Sequence, residues 1–187
     1  MRMYTRARRL LTVPTGLAVA GVLVLPAPAV AQPAPDSAAR LAGNGAVQMI
    51  DVQTRKCATV AGGTSTENNV ELVQFTCDTH PSRRWRLANW NGNSYQLVNV
   101  GTRKCMTVAG GVSRENNVQL VQFTCDTHPS RRWRVVNWNG SSYQVVNAGT
   151  RKCATVAGGT STENNVRLVQ FTCDTHPSRR WTLRIAG

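Results

Sequence analysis

The chain has 187 residues, 41% of them hydrophobic and 17% charged, and its 22 Lys and Arg against 9 Asp and Glu give a formal net charge of +13. That length excludes an array of several full-sized domains and leaves room for one, with a real core, beside a targeting segment. The basic balance favours anionic partners such as nucleic acid, acidic glycans or cell-wall polymers.

The amino terminus reads as an export signal. Arg2, Arg6, Arg8 and Arg9 precede an apolar run from Leu10 to Leu25, broken by Pro14, and Ala29-Val30-Ala31 forms a small-x-small cleavage pattern. Residues 1–31 are therefore expected to be a signal peptide. The apolar run is too short and too proline-interrupted to cross about 30 Å of hydrocarbon, so no membrane association is expected after cleavage. No cysteine follows it to carry a lipid, and Arg8-Arg9 is a faint twin-arginine signal. Residues 32–43, rich in Ala and Pro, read as a short flexible lead. Loss of the four signal arginines lowers the net charge to +9.

Residues 44–187 form one domain of three internal repeats, about 45–92, 93–140 and 141–187. The block Arg55–Trp85 recurs as Arg103–Trp133 with four changes in 31 positions, and as Arg151–Trp181 with one, Glu71 against Arg167. Segments before each block also align: AVQMIDV, SYQLVNV and SYQVVNA. Repeat two holds four β-like runs, Tyr95–Val100, Lys104–Val108, Val118–Phe123 and Trp133–Trp138. Gly101-Thr102, Gly110-Gly111 with Asn116-Asn117, and Asp126–Ser130 with Pro129 supply the turns between them. Helical periodicity is absent after the signal. No repeat can bury its apolar face alone, so the three must pack together. Three four-stranded units about a pseudo-threefold axis make an all-β fold, the β-trefoil.

Six cysteines in an exported chain point to disulfides. Of fifteen possible pairings, repeat symmetry favours one bridge inside each repeat: Cys57–Cys77, Cys105–Cys125 and Cys153–Cys173. Each would close a loop of about 20 residues, worth roughly 3 kcal/mol in the chain-entropy treatment.

The motif Cys57-x-x-Val60, Gly62, Ser65, Asn68, Val73-Gln74-Phe75-x-Cys77 and Trp85, repeated three times in register, resembles the ricin B-type lectins, the ricin-type carbohydrate-binding modules. The resemblance covers about residues 45–185. It implies a β-trefoil with shallow sugar pockets, up to one per repeat. Two departures stand out. Arg83, Arg131 and Arg179 occupy the place of the family's Gln in its Gln-x-Trp signature. Thr59, Thr107 and Thr155 replace the Asp that galactose-binding members carry, and a hydroxyl bonds more weakly than a carboxylate.

On that resemblance Phe75, Phe123 and Phe171 hold the stacking position, with core packing as the competing role. The loop after each second cysteine supplies polar candidates. Asp78, Asp126 and Asp174 could accept from sugar hydroxyls. His80, His128 and His176 could donate, and Arg83, Arg131 and Arg179 could hold an acidic group in a fork. The same residues also make sense as a turn, with Arg83 paired to Asp78. Trp85, Trp133 and Trp181 are expected in the core, and Trp90 and Trp138, absent from repeat three, partly exposed. Asn68 and Asn69 read as turn residues.

No local Ser-His-Asp set and no asymmetric site single out an enzyme. No metal site or cofactor is expected, because disulfide pairing competes for the cysteines. The expected function is that of a secreted, monomeric lectin. Its partners would be glycans, acidic or cell-wall polysaccharide among them, bound at up to three equivalent sites. The alternative is a trefoil that holds a protein partner or acts as an inhibitor through its loops. Specific nucleic-acid binding is not expected, since few aromatics lie among the basic residues.

Overall fold

Each repeat folds into four short strands whose apolar residues turn inward and whose Gly, Asn and Pro residues make the bends. The computed structural model describes residues 36–43 and 45–186; the expected signal peptide, 1–31, lies outside them. The strands of repeat one are β1 (Ala46–Asp51), β2 (Cys57–Val60), β3 (Leu72–Phe75) and β4 (Trp85–Ala88). Repeat two supplies β5 (Gln96–Asn99), β6 (Cys105–Val108), β7 (Leu120–Phe123) and β8 (Trp133–Val136). Repeat three supplies β9 (Gln144–Asn147), β10 (Cys153–Val156), β11 (Leu168–Phe171) and β12 (Trp181–Ile185). All four runs expected in repeat two are present, trimmed at their ends where turns begin.

Six strands close a ring. β1 pairs with β4, β4 with β5, and β8 with β9, all antiparallel. Bridges Tyr95↔Trp133 and Tyr143↔Trp181 join β5 to β8 and β9 to β12. β12 then returns to β1, Val47 facing Ile185 and Asp51 facing Trp181. The remaining strands form three hairpins, β2–β3, β6–β7 and β10–β11. The hairpins meet through Glu71↔Val121, Val73↔Arg167 and Gln119↔Val169. A six-stranded ring with three hairpins is the β-trefoil, and it leaves no long free strand edge on the ring.

The core follows the same symmetry. Trp85, Trp133 and Trp181 are fully buried, with Leu72, Leu120 and Leu168 beside them. Each leucine contributes about 1.5–3 kcal/mol by leaving water. A buried indole N–H needs an acceptor. Here it donates 2.9 Å to Ala58 O, Met106 O or Ala154 O on its own hairpin. Disulfides Cys57–Cys77, Cys105–Cys125 and Cys153–Cys173 tie the first strand of each hairpin to the loop after it.

Neighbouring repeats are stitched by buried glutamines. Gln74 Nε2 donates to Ser161 O and Glu163 O at 2.8 and 2.6 Å, and its Oε1 accepts from Thr54 Oγ1 at 2.7 Å. Gln122 and Gln170 repeat the two donations, to Ser65 and Glu67 and to Ser113 and Glu115. Gln122 Oε1, however, is buried without a partner.

The ring closure carries one break in the symmetry. Asn99 and Asn147 accept turn N–H groups on Oδ1, and their Nδ2 donates 2.7 Å to Ser82 O and Ser130 O. Asp51 stands in the same register opposite Trp181. Its Oδ1 accepts from Gln53 N and Thr54 N, but its Oδ2 is buried with no partner. Burial therefore pushes the Asp51 carboxyl up from 3.8 to about 7.

The segment 32–43, expected as a flexible lead without helix, holds α1 at Asp36–Gly43. Leu41 and Ala42 pack against the core. Tertiary burial of this kind fixes a short helix that its sequence alone would not hold.

Candidate functional site

In each repeat a loop folds back over its own hairpin to make a cleft. Asp78 Oδ1 accepts the main-chain N–H of His80 at 2.8 Å, closing an Asx turn. His80 then caps a 3₁₀ turn, Pro81–Arg83, with Nδ1 accepting from Ser82 N at 3.2 Å. An Nδ1 that accepts leaves the neutral imidazole's proton on Nε2. Pro81 opens the turn, where its missing N–H costs nothing.

Ser82 Oγ is the hub of the loop. It lies 2.8 Å from His80 Nδ1 and 3.0 Å from Thr59 Oγ1, and accepts from Arg83 Nη1 at 3.2 Å. Ser82 is fully buried, and Asp78 bonds the His80 main chain rather than its ring. The three therefore do not align as nucleophile, base and orienting acid. Gly63 lets the loop approach: at φ 80°, a Cβ there would sit 3.2 Å from His80 Cε1 and 3.3 Å from Ser82 Oγ.

Arg83 crosses the phenylalanine. Its Cζ lies 4.4 Å from the Phe75 ring centroid, and its Nε is 3.3 Å from Asp78 Oδ1. Arg131 on Phe123 and Arg179 on Phe171 repeat this at 4.3 and 4.4 Å, with Asp126 and Asp174 at 3.3 and 3.4 Å. In none of the three is Nε hydrogen-bonded to the carboxylate: Arg83 Nε donates to Thr76 O at 3.3 Å, and Arg131 Nε and Arg179 Nε have no hydrogen-bond partner. The pairing is thus a charge contact, while the ring contact is a cation–π stack.

The clefts measure about 470, 250 and 300 Å³ in repeats one to three. Thr59, Phe75, His80 and Arg83 line the first, and Thr107, Phe123, His128 and Arg131 the second. Thr155, Phe171 and Arg179 line the third, which His176 does not reach. Thr59, Thr107 and Thr155 are buried, and their hydroxyls already bond Ser82, Ser130 and Ser178. Asp78, Asp126 and Asp174 stand behind the arginines, outside these linings. Half-exposed Phe75, exposed His80 and the edge of Arg83 are the groups a ligand could meet. Among the described residues no group of three or more His, Cys, Asp or Glu could hold a metal ion.

Each cleft also takes an asparagine from the neighbouring repeat: Asn165 in the first, Asn69 in the second and Asn117 in the third. Asn69, expected as a turn residue alone, also lines a cleft. Its φ of 64° satisfies the turn, and its N–H donates 2.8 Å to Gln122 O of repeat two. No spacing within one repeat could reveal a contact made between two.

A family model described as ricin-type beta-trefoil lectin domain-like matches residues 39–123, 81–167 and 129–187. A search of curated proteins found no match. Among solved structures, the designed threefold-symmetric protein ThreeFoil is similar at 20% identity, covering 75% of this chain and 98% of that one, with a TM-score of 0.71. The exo-β-1,3-galactanase 1,3Gal43A from Clostridium thermocellum gives 22% identity and a TM-score of 0.71, over 75% of this chain and 30% of that one. The Macrolepiota procera ricin B-like lectin, in complex with lactose, gives 12% identity and a TM-score of 0.65, over 75% and 95%. At these identities the likeness is one of fold.

Proposed function

Because the chain belongs to the ricin-type β-trefoil lectin-like family, we propose that it is an exported glycan-binding protein with three equivalent shallow sites. The observation that carries this reading is the recurrence of one cleft in all three repeats. Each joins an aromatic edge, a guanidinium and a neighbouring asparagine. An amphipathic pyranose needs an apolar wall and fixed polar groups, which is the make-up of a small-ligand site. Arg83, Arg131 and Arg179 favour acidic saccharides, because guanidinium and carboxylate pair in a fork. Single sites this shallow would bind weakly, and three on one chain would act together on a glycan surface.

Export is supported by the basic and apolar start of the sequence and by three disulfides. A monomer is supported by the ring, which closes on the chain's own first and last strands. The test is a glycan array of neutral, acidic and cell-wall saccharides probed with the oxidised protein. Retention should fall when Arg83→Ala, Arg131→Ala and Arg179→Ala are combined. Silence on every glycan at millimolar ligand would sink the reading.

A further inference from the structure

Two tryptophans stay outside the core. Trp90 and Trp138 are 55% and 46% exposed, in the loops that follow β4 and β8. Each ring leans on a buried tyrosine, Tyr95 or Tyr143, with centroids 4.5 Å apart. Each indole thus presents a flat apolar face with a polar N–H edge to the solvent.

The loops that carry them are held firmly. Asn91 Oδ1 accepts from Asn93 N, Ser94 N and Ser94 Oγ. Arg132 of the next repeat reaches across, donating from Nε to Ser94 Oγ and from Nη2 to Asn89 O and Ser94 O. Arg180 does the same for Asn137 and Ser142. Gln96, bonded by Asn89, also donates to Asp126 O. The Trp90 loop is therefore fixed to segment 126–132, the segment that carries His128 and Arg131 at the cleft of repeat two. Trp138 is fixed likewise to repeat three through Gln144 and Asp174 O. Holding an exposed ring rigid removes the ordering cost of binding.

The cleft of repeat one lacks such a flanking ring. One repeat length before Trp90 and Ser94 stand Ala42 and Ala46, and Ala42 packs on the core within α1. Within the clefts the guanidinium already covers one face of each phenylalanine. Among the described residues the most exposed aromatic rings are the two indoles.

We infer that Trp90 and Trp138 are stacking platforms for pyranose rings, a second class of sugar contact that flanks the clefts of repeats two and three. This rests on the glycan-binding reading above. The chemistry fits a sugar better than a protein partner. Each platform is one isolated ring rimmed by exposed Asn89, Asn91 and Asn93, or by Asn137, Asn139 and Ser141, rather than a broad apolar patch. A pyranose likewise offers one C–H face bordered by hydroxyls.

The oxidised protein and a Trp90→Ala/Trp138→Ala double variant should be compared on the same array of neutral, acidic and cell-wall saccharides. The glycan retained best should then be titrated by tryptophan fluorescence. Three of the five tryptophans are buried with bonded N–H groups, so ligand-dependent shifts report the exposed pair. A blue shift, protection from acrylamide and a loss of about tenfold or more in the double variant are expected, with the variant still fully folded at the assay temperature by circular dichroism. Trp→Phe at both sites should restore part of the affinity. Equal glycan retention by wild type and double variant overturns this inference alone. So does self-association of the wild type that the double variant abolishes, since the rings would then be an interface between copies. No retention of wild type by any glycan overturns the glycan-binding reading, and this inference with it.

Discussion

The guanidinium carbon of Arg83 lies 4.4 Å from the centre of the Phe75 ring, and its Nε lies 3.3 Å from Asp78 Oδ1. The ring contact and the ion pair hold the same side chain but differ in strength. Asp78 is half exposed, so the ion pair contributes about 0–1 kcal/mol. A stack on a mostly buried guanidinium contributes about 0.5–2 kcal/mol.

Arg83→Lys keeps the charge and loses the planar stack. Asp78→Asn keeps an acceptor for His80 N–H and loses the charge. Urea unfolding should show Arg83→Lys costing about 1 kcal/mol or more and Asp78→Asn less. The reverse order would mean that the ion pair dominates.

Asp51 should make stability fall with rising pH. Its folded pKa of about 7 exceeds the ordinary 3.8, so between those values the folded chain keeps a proton that the unfolded chain has released. The contribution is fully present below about pH 4, declines up to pH 7 and is flat above. Asp51→Asn restores the amide found at Asn99 and Asn147 and removes this slope. It should raise stability at pH 8 by on the order of a few kcal/mol and change little at pH 3.5. Denaturation midpoints across this range check it; an equal effect at both ends would contradict the assignment.

Gln74 and Gln122 differ by one bond. Both donate to two carbonyls of a neighbouring repeat, but only Gln74 accepts from a threonine, Thr54. Gln74→Leu should therefore cost about 1 kcal/mol more than Gln122→Leu. Guanidinium unfolding of the two variants measures the difference.

The three disulfides close loops of equal length, each with a separation of 20 residues. Replacing any one pair by alanine should cost about 3 kcal/mol, nearly the same in each repeat. A pair with a much smaller cost would identify a repeat whose hairpin is held by other contacts.

The repeat itself determined much of this protein. Its recurring cysteines, turn residues and β-runs are local signals, so they already specified twelve strands, three intra-repeat bridges and a trefoil. They also foretold buried Trp85, Trp133 and Trp181 and exposed Trp90 and Trp138, because the first set recurs three times and the second only twice. Thr59 shows the limit. The family resemblance marked it as a pocket group, and it does line the cleft, but its buried hydroxyl is already bonded to Ser82. Only the tertiary structure decided that Asn165, Asn69 and Asn117 enter the cleft of the next repeat, that α1 packs on the core, and that Asp51 closes the ring with an unmatched oxygen. The physical reason is the same in each case. A repeat's pattern encodes how its own strands fold, whereas these contacts join residues 30 to 130 apart, fixed only when the three units pack about their common axis.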